Sequence, residues 1–387
     1  MNIAYVTHTR FPTEKAHGHQ IARVCDALEY LKNEVTLVTP SIFTDIRQDP
    51  KRYYHLKSDI DMAYLPIFDA LSSSFIPGKF AFHFTMHSYR RALKKYFASH
   101  TFDLIYVRSP AVLPALLATG IPVVIELHTL PKRNQKSFAA ECNRCKKVVC
   151  LTEPMRKELI TFGVKKAKII VEGDAVDLDR FKKLPSAKSA RHHFNLPDDR
   201  KIIGYVGSFV TMDKIEKGLQ FIIDSLVVMR KNDEQVHGFF VGGPLEWAQK
   251  YRKIALAMGL REDDFTFHGM VPSTLVPDAI AACDICVYPA PEPKKDFFRR
   301  DTSPLKVFEY LAAGRPVVSA DIPPLHGVLT KETVKLVHPG SVSSLTAGLR
   351  EVLQKKPEAK ARTVRGLKLV QKHSWEKRMK RILDSVR

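Results

Sequence analysis

Residues 301–318, DTSPLKVFEYLAAGRPVV, decide how the rest of the chain is read. Ser303 is a preferred helix N-cap, and Pro304 suits the first helical position, where its missing N–H would be unpaired anyway. Leu305, Phe308, Leu311 and Ala312 recur at helical spacing and form one apolar stripe. Gly314 supplies a left-handed stop, and Pro316 keeps the helix from resuming. Val317, Val318 and Ser319 then read as a short buried strand. The unit is loop, capped helix, tight turn and strand, as in an α/β domain. Free backbone N–H groups around Thr302, Ser303 and Leu305 make a ready place for a phosphate. Asp301 on the loop and Glu309 within the helix bracket that place with two carboxylates.

Working outward, 387 residues suit two α/β domains with sizeable cores. The formal net charge is +20, and the excess is shared by both halves, so it is not a basic tail. A surface of this kind favours an acidic partner: a phosphorylated substrate, an anionic membrane or nucleic acid. No zinc-finger spacing or aromatic-interleaved basic motif supports nucleic acid, which is not expected as a partner. The opening MNIAYVTHTR reads as a strand entering a turn and not as a leader. The longest apolar run, 111–125, is broken by Pro114, Gly120 and Pro122 and is too short to span a bilayer. The expected location is cytoplasmic. Two C-x-x-C pairs, Cys142/Cys145 and Cys283/Cys286, would be needed together for a four-thiolate site, and small buried hydrophobes explain them without metal.

In order, Ile3 to Thr7 is a strand, a loop follows, IARVCDALEYLK is a helix, and Val35 to Val38 is the second strand. This is the start of a doubly wound domain, with Gly18 expected just before the helix. Residues 71–79 read as an apolar loop. The helix after it carries Arg90, Arg91, Lys94 and Lys95 on one side, near Phe80 and Phe84, a pattern that can rest on an anionic leaflet. DLIYVRSP and VVIELHT are strands, the second ending at His128 on the carboxyl side of the sheet, where open α/β sheets bind ligands. Residues 182–198 shift to Lys, Ser and Pro and separate the halves. KIIGYVGSF then starts a second βα unit, and Lys217 near the next helix can reach a diphosphate.

The 301–318 stretch resembles the C-terminal signature of family 4 retaining glycosyltransferases. That signature is Glu-x7-Glu followed by Ala-Met-Ala-x-Gly-x-Pro-Val, or Tyr-Met-Ala-Ala-Gly-Lys-Pro-Val in one branch. Here Asp301 stands for the first Glu and Glu309 is the second. Lys217-Gly218 matches the family's helix start. Ser208 takes the place of its usual Arg, with Lys214 as a possible substitute cation. The resemblance implies the GT-B fold, two Rossmann-like doubly wound α/β domains facing a central cleft. The expected bounds are 1–183, plus a crossing helix at 374–387, for the acceptor-binding domain, and 184–373 for the nucleotide-sugar-binding domain.

It also implies transfer of a sugar, with retention, from a nucleotide diphosphate sugar to a hydroxyl. A UDP-sugar is favoured and a GDP-sugar is next. The basic surface suits a lipid-linked or cell-envelope glycan acceptor and a place on the inner face of the membrane. Neither metal nor cofactor is implied, the nucleotide sugar being a substrate. Lys217 and the amides of Thr302, Ser303 and Leu305 would stabilise the leaving diphosphate. Asp301 would hold the donor sugar, and His128 would orient sugar or acceptor. Glu309 would bind the ribose, Met270 and Val271 the base, and Gly18, Ser208 and Pro304 would line the donor. The alternative is a catalytically degenerate GT-B protein acting as a nucleotide-binding partner or regulator.

Overall fold

The computed structural model describes residues 1–70, 78–211 and 214–386, so the expected apolar loop lies, from 71 to 77, outside the described residues. The chain divides into two compact units, Met1–Asp174 with Trp375–Arg387, and Ala175–Ser374. Residues 175–183, expected with the first unit, belong to the second. The reason is packing: Val176 and Phe181 are buried in the second unit's core.

The first unit holds seven strands: β1 (Asn2–Val6), β2 (Glu34–Pro40), β3 (Asp61–Leu65), β4 (Leu104–Val107), β5 (Val123–Leu127), β6 (Lys147–Cys150) and β7 (Ile169–Val171). All pair in parallel, in the order β3-β2-β1-β4-β5-β6-β7. Ile3 is in register with Val35 on one side and Leu104 on the other. Strands covered on both faces are near-continuous apolar runs, as β4 is throughout, β1 is after Asn2, and β5 is apart from the buried Glu126. The order of winding reverses between β1 and β4, and ligands of such sheets bind outside the carboxyl ends at that point. The Trp375–Val386 helix completes this unit. It buries Trp375, Arg378, Met379, Ile382, Leu383 and Val386 as one stripe and packs on the Ala16–Tyr30 helix.

The second unit holds β8 (Lys201–Val206), the short antiparallel pair β9 (Val210–Thr211) and β10 (Ile215–Glu216), then β11 (Val236–Val241), β12 (Phe265–Phe267), β13 (Ile285–Tyr288), β14 (Val317–Ala320) and β15 (Lys335–Val337). Six of these make a parallel sheet, β12-β11-β8-β13-β14-β15, whose winding reverses between β8 and β13. Gly204 has to be glycine. A Cβ there would lie 2.1 Å from the Cys283 sulfur, where the incoming chain packs on β8.

The deciding stretch folds as helix Leu305–Ala312, then Gly314 at φ +61°, then β14. Its N-terminus differs from expectation. Pro304, extended at φ −79° and ψ 106°, occupies the N-cap position without a side-chain cap, and Ser303 lies one residue outside. The Pro304 carbonyl accepts from the Val307 amide at 3.0 Å, so the helix begins from the proline and not from the serine. Asp301 is not on an open loop. Phe297–Asp301 forms a wide π-helical turn, closed by the Thr302 amide donating to the Phe297 carbonyl at 2.9 Å. Gly18 likewise lies inside the Ala16–Tyr30 helix and not before it.

Among the described residues no helix is long and apolar enough to cross a membrane.

Candidate active site

In the second unit, the carboxyl ends of β8 and β13 gather most of the residues expected to hold a donor. Lys217 follows β10, and its amide donates to the Phe209 carbonyl at 3.1 Å. The side chain is only 8% exposed, with Nζ 3.6 Å from the centre of the Phe297 ring and 5.9 Å from that of Phe298. Burial, and then the charge of Lys306, lower its pKa to about 6. Among the described residues no carboxylate lies within ion-pair distance of it.

Glu309 sits on the Leu305–Ala312 helix and is half-buried. Its Oε1 pairs with Arg180 Nη1 at 3.4 Å, and Arg180 also donates to the Ser273 carbonyl. This carboxylate is thus held in place, with further lone pairs for a ligand hydroxyl. Asp301 is 8% exposed, and Arg300 grips it through Nε at 2.5 Å and Nη2 at 3.1 Å, one contact to each oxygen. Its expected part in holding a sugar would require sharing the carboxylate with that guanidinium. Thr302 is buried with its hydroxyl 3.4 Å from Tyr288 OH, and its amide is already bonded to Phe297, so it is not one of the amides open to a phosphate.

Ser208 is exposed, and its hydroxyl donates to the Val210 carbonyl while its own carbonyl accepts from Tyr205 OH at 2.7 Å. Lys214 is exposed at the tip of the β9–β10 pair. Met270 is largely exposed and Val271 half-buried. They follow Gly269, whose carbonyl accepts from Gly242 at 2.7 Å, so this loop lies against the β11 glycine turn. A Cβ on Gly243 would meet Met270 Cγ at 2.8 Å.

In the first unit, His128 stands just beyond β5. Its Nε2 lies 2.7 Å from Glu126 Oε1. Burial, with Arg108 adding to it, lowers the His128 pKa to about 4, so the ring is neutral at neutral pH. Glu126 is wholly buried. Burial opposes its charge, but Arg378, His128 and Tyr106 outweigh that and hold the carboxyl well below the usual range. A carboxylate only accepts, so His128 Nε2 carries the proton and donates it, which leaves Nδ1 as an acceptor. Glu126 also accepts from Gln20 at 2.7 Å, from Tyr106 OH, and from Arg378 at 3.1 Å.

Gly18 has a packing role in this unit. A Cβ there would lie 2.5 Å from Tyr54 OH and 2.8 Å from the Thr13 carbonyl, so the helix could not pass them. Arg90 also departs from expectation, because its Nε donates to the Ala111 carbonyl at 2.7 Å and the guanidinium is tied down. Arg91, Lys94 and Lys95 remain exposed on that helix, together with Phe80 (62%) and Phe84 (56%).

Sequence reading missed Lys306, Arg180, Glu126 and Arg378. Lys306 follows Leu305 in the deciding helix and looks like an ordinary polar-face residue. Its signal is Gly207, left-handed at φ +138°, where any Cβ would meet the Lys306 chain at 2.7 Å. Arg378 lies 252 residues from its partner Glu126, and no local pattern links them. Among the described residues no three His, Cys, Asp or Glu side chains gather as metal ligands would. Cys142 and Cys145 lie in the first unit's core, and Cys283 and Cys286 in the second's.

The family model "glycosyltransferase family 4" matches residues 18–180, and "glycosyl transferases group 1" matches residues 200–355. No curated protein matches. Among solved structures, sucrose-phosphate synthase from Thermosynechococcus elongatus is similar at TM-score 0.74 and 19% identity, covering 99% of this chain and 97% of that one. Anabaena Alr3699/HepE, solved with UDP and glucose, gives TM-score 0.71 and 18% identity, covering 100% of both chains. WaaG, a glycosyltransferase involved in lipopolysaccharide biosynthesis, gives 0.69 and 14%, covering 99% of each. At these identities the likeness speaks for the fold, which is GT-B. The chain has two parallel sheets, the family models span 18–180 and 200–355 across the two units, and it belongs to the family 4, group 1 glycosyltransferases.

Proposed function

We propose that this chain moves a sugar from a nucleotide diphosphate sugar to a hydroxyl of a lipid-linked or cell-envelope glycan, with retention and without metal. The observation that carries this reading is Lys217, a lysine buried at the ligand end of the second sheet with an aromatic ring and, among the described residues, no carboxylate beside it. Charging such an amine without a counter-charge is costly, which is why its pKa falls, and a diphosphate would supply that charge. Anabaena HepE was solved with UDP and glucose, which favours a UDP-sugar donor over a GDP-sugar. WaaG's part in lipopolysaccharide biosynthesis favours a cell-envelope acceptor.

In this mechanism the difficult step is expelling the diphosphate while positive charge builds on the sugar ring. Lys217 stabilises the departing negative charge, a contribution that grows as the bond breaks. Amides at Ser303 and Leu305 assist it, beside Thr302 and Pro304. Glu309, steadied by Arg180, accepts from the ribose hydroxyls. Ser208, Met270 and Val271 line the nucleotide, and Asp301 takes a donor-sugar hydroxyl while it stays paired with Arg300. His128, neutral, accepts a hydroxyl hydrogen of sugar or acceptor through Nδ1. The acceptor attacks from the leaving-group face, and the leaving phosphate oxygen takes its proton. Arg91, Lys94 and Lys95, with Phe80 and Phe84, would rest the first unit on an anionic cytoplasmic membrane face.

The second reading, a nucleotide-binding partner without catalysis, is favoured by Arg300 holding both Asp301 oxygens. A thermal-shift panel of UDP, GDP, ADP and their sugars separates the readings in its first step. A raised melting temperature with one nucleotide series, followed by hydrolysis or transfer of its sugar, supports the enzyme. Binding without turnover supports the partner, and no shift from any nucleotide removes the donor site.

A further inference from the structure

The diphosphate expected at Lys217 carries two or more negative charges, yet the usual second cation of this site is replaced by Ser208. The structure supplies a candidate from elsewhere in the sequence. The Lys306 side chain runs back from the Leu305–Ala312 helix across the end of β8. Its Nζ donates to Tyr205 OH, lies 3.5 Å from the Ser208 carbonyl, and sits 4.0 Å from the centre of the Tyr205 ring. The path is open only because residue 207 is glycine, since a Cβ there would lie 2.8 Å from Lys306 Nζ. Gly242 makes room in turn, since its Cβ would fall 2.1 Å from the Gly207 carbonyl.

Lys217 and Lys306 therefore flank the same two residues. Lys217 is bonded through its amide to the Phe209 carbonyl, and Lys306 reaches the Ser208 carbonyl. Each amine rests on an aromatic face, and among the described residues neither has a carboxylate at ion-pair distance. Among the described residues, the titratable groups facing them are Tyr205 from β8, Glu309 from the helix that bears Lys306, and each other.

We propose that Lys306 is the second diphosphate-binding cation of this chain, and that Lys217 and Lys306 form a pair that takes up protons when the nucleoside diphosphate binds. This rests on the donor site proposed above. The pair's electrostatics agree with it. Burial, and then Lys306, bring Lys217 to about 6, while burial brings Lys306 to about 7 against a lift from Glu309. Above pH 7 the unliganded pair is then mostly neutral. An incoming diphosphate restores the charged form, each amine drawing one proton from solvent with no covalent change. The site stays cheap to bury when empty and becomes cationic as the leaving group needs it.

Titration calorimetry of the full chain with UDP, GDP and ADP at pH 8 tests this in HEPES and in Tris, whose ionisation heats differ. Wild type is expected to bind one of them with a buffer-dependent enthalpy that reports net proton uptake. Lys306→Met should weaken that nucleotide at least tenfold, leave the matching nucleoside unchanged, and reduce the uptake by about one proton. Lys306→Arg should restore the affinity and, being charged throughout, still show the lower uptake. If wild type binds none of the three, the donor-site reading itself falls. If wild type binds and Lys306→Met matches it in affinity and uptake, that reading stands and the role of Lys306 is overturned. A loss of nucleoside affinity in Lys306→Met equal to the loss for the nucleotide would also overturn it, as a merely structural effect.

Discussion

Arg378→Met asks whether the last helix is locked to the first unit by charge. Arg378 is 1% exposed, and its guanidinium meets Glu126 at 3.0 and 3.1 Å, the Gly173 carbonyl at 2.7 Å and the Glu172 carbonyl at 3.1 Å. Methionine keeps much of the stem and removes the charge, which leaves Glu126 buried with only neutral donors. Removing one member of a buried pair costs about 3–5 kcal/mol. In a unit of this size each kcal/mol lowers the melting temperature by about 2–4 °C, so a fall of roughly 6 to 20 °C is expected. The chain has two tryptophans, Trp375 in the first unit and Trp247 in the second. In a Trp247→Phe background, Trp375 fluorescence follows the first unit alone, which avoids treating two units as one transition. Glu126→Gln completes a double-mutant cycle, and the double variant should lose clearly less than the sum of the single losses. A shift of less than about 2 °C in Arg378→Met, or strictly additive losses, would refute the argument.

Glu309→Ala should weaken nucleotide binding by about 1.5–3 kcal/mol, the range for hydrogen bonds to a charged group, and calorimetry with UDP that shows unchanged affinity would take Glu309 out of the site. Gly18→Ala should destabilise the first unit by about 1–3 kcal/mol because the new methyl meets the Thr13 backbone, and an unaltered melt would return Gly18 to a purely ligand-facing role. His8, His17 and His128 all have pKa values lowered to about 4, by burial and then by Arg108. Unfolded histidine binds its proton near 6.5, so the unfolded state binds more protons between those values. The stability they contribute is complete above about pH 6.5 and is lost as pH falls towards 4, and a flat Trp375 melting profile over that window would contradict it. Replacing Arg91, Lys94 and Lys95 with Ser should abolish binding to anionic vesicles, and equal flotation of variant and wild type would end the docking idea.

The order of elements was open to sequence reading wherever one local rule acted alone. Gly314 announces its own left-handed turn, and the paired β-strands announce themselves as short apolar runs. Where two local rules compete, local pattern misplaces a boundary by a residue. Ser303 and Pro304 both favour a helix start, and the proline took the cap position. Where tertiary packing decides, local pattern carries nothing. Gly18 looked like a loop glycine opening towards a phosphate, but its missing side chain makes space for Tyr54 and Thr13. The lysine that lies beside the Ser208 carbonyl has no signal near residue 208, because it comes from position 306 across the end of β8. The Glu126–Arg378 pair joins segments that only the finished fold brings together.

The cysteines offer a separate use. All six are buried, and burial raises the thiol pKa of Cys25, Cys142, Cys145, Cys150 and Cys286. Thiolate is the reactive form, so the folded protein should resist alkylation. Cys25, Cys142, Cys145 and Cys150 belong to the first unit, while Cys283 and Cys286 belong to the second. Mass spectrometry after a brief alkylation pulse would then register four added groups when the first unit opens and two when the second does. The chain carries its own two-channel label for following which half lets go first.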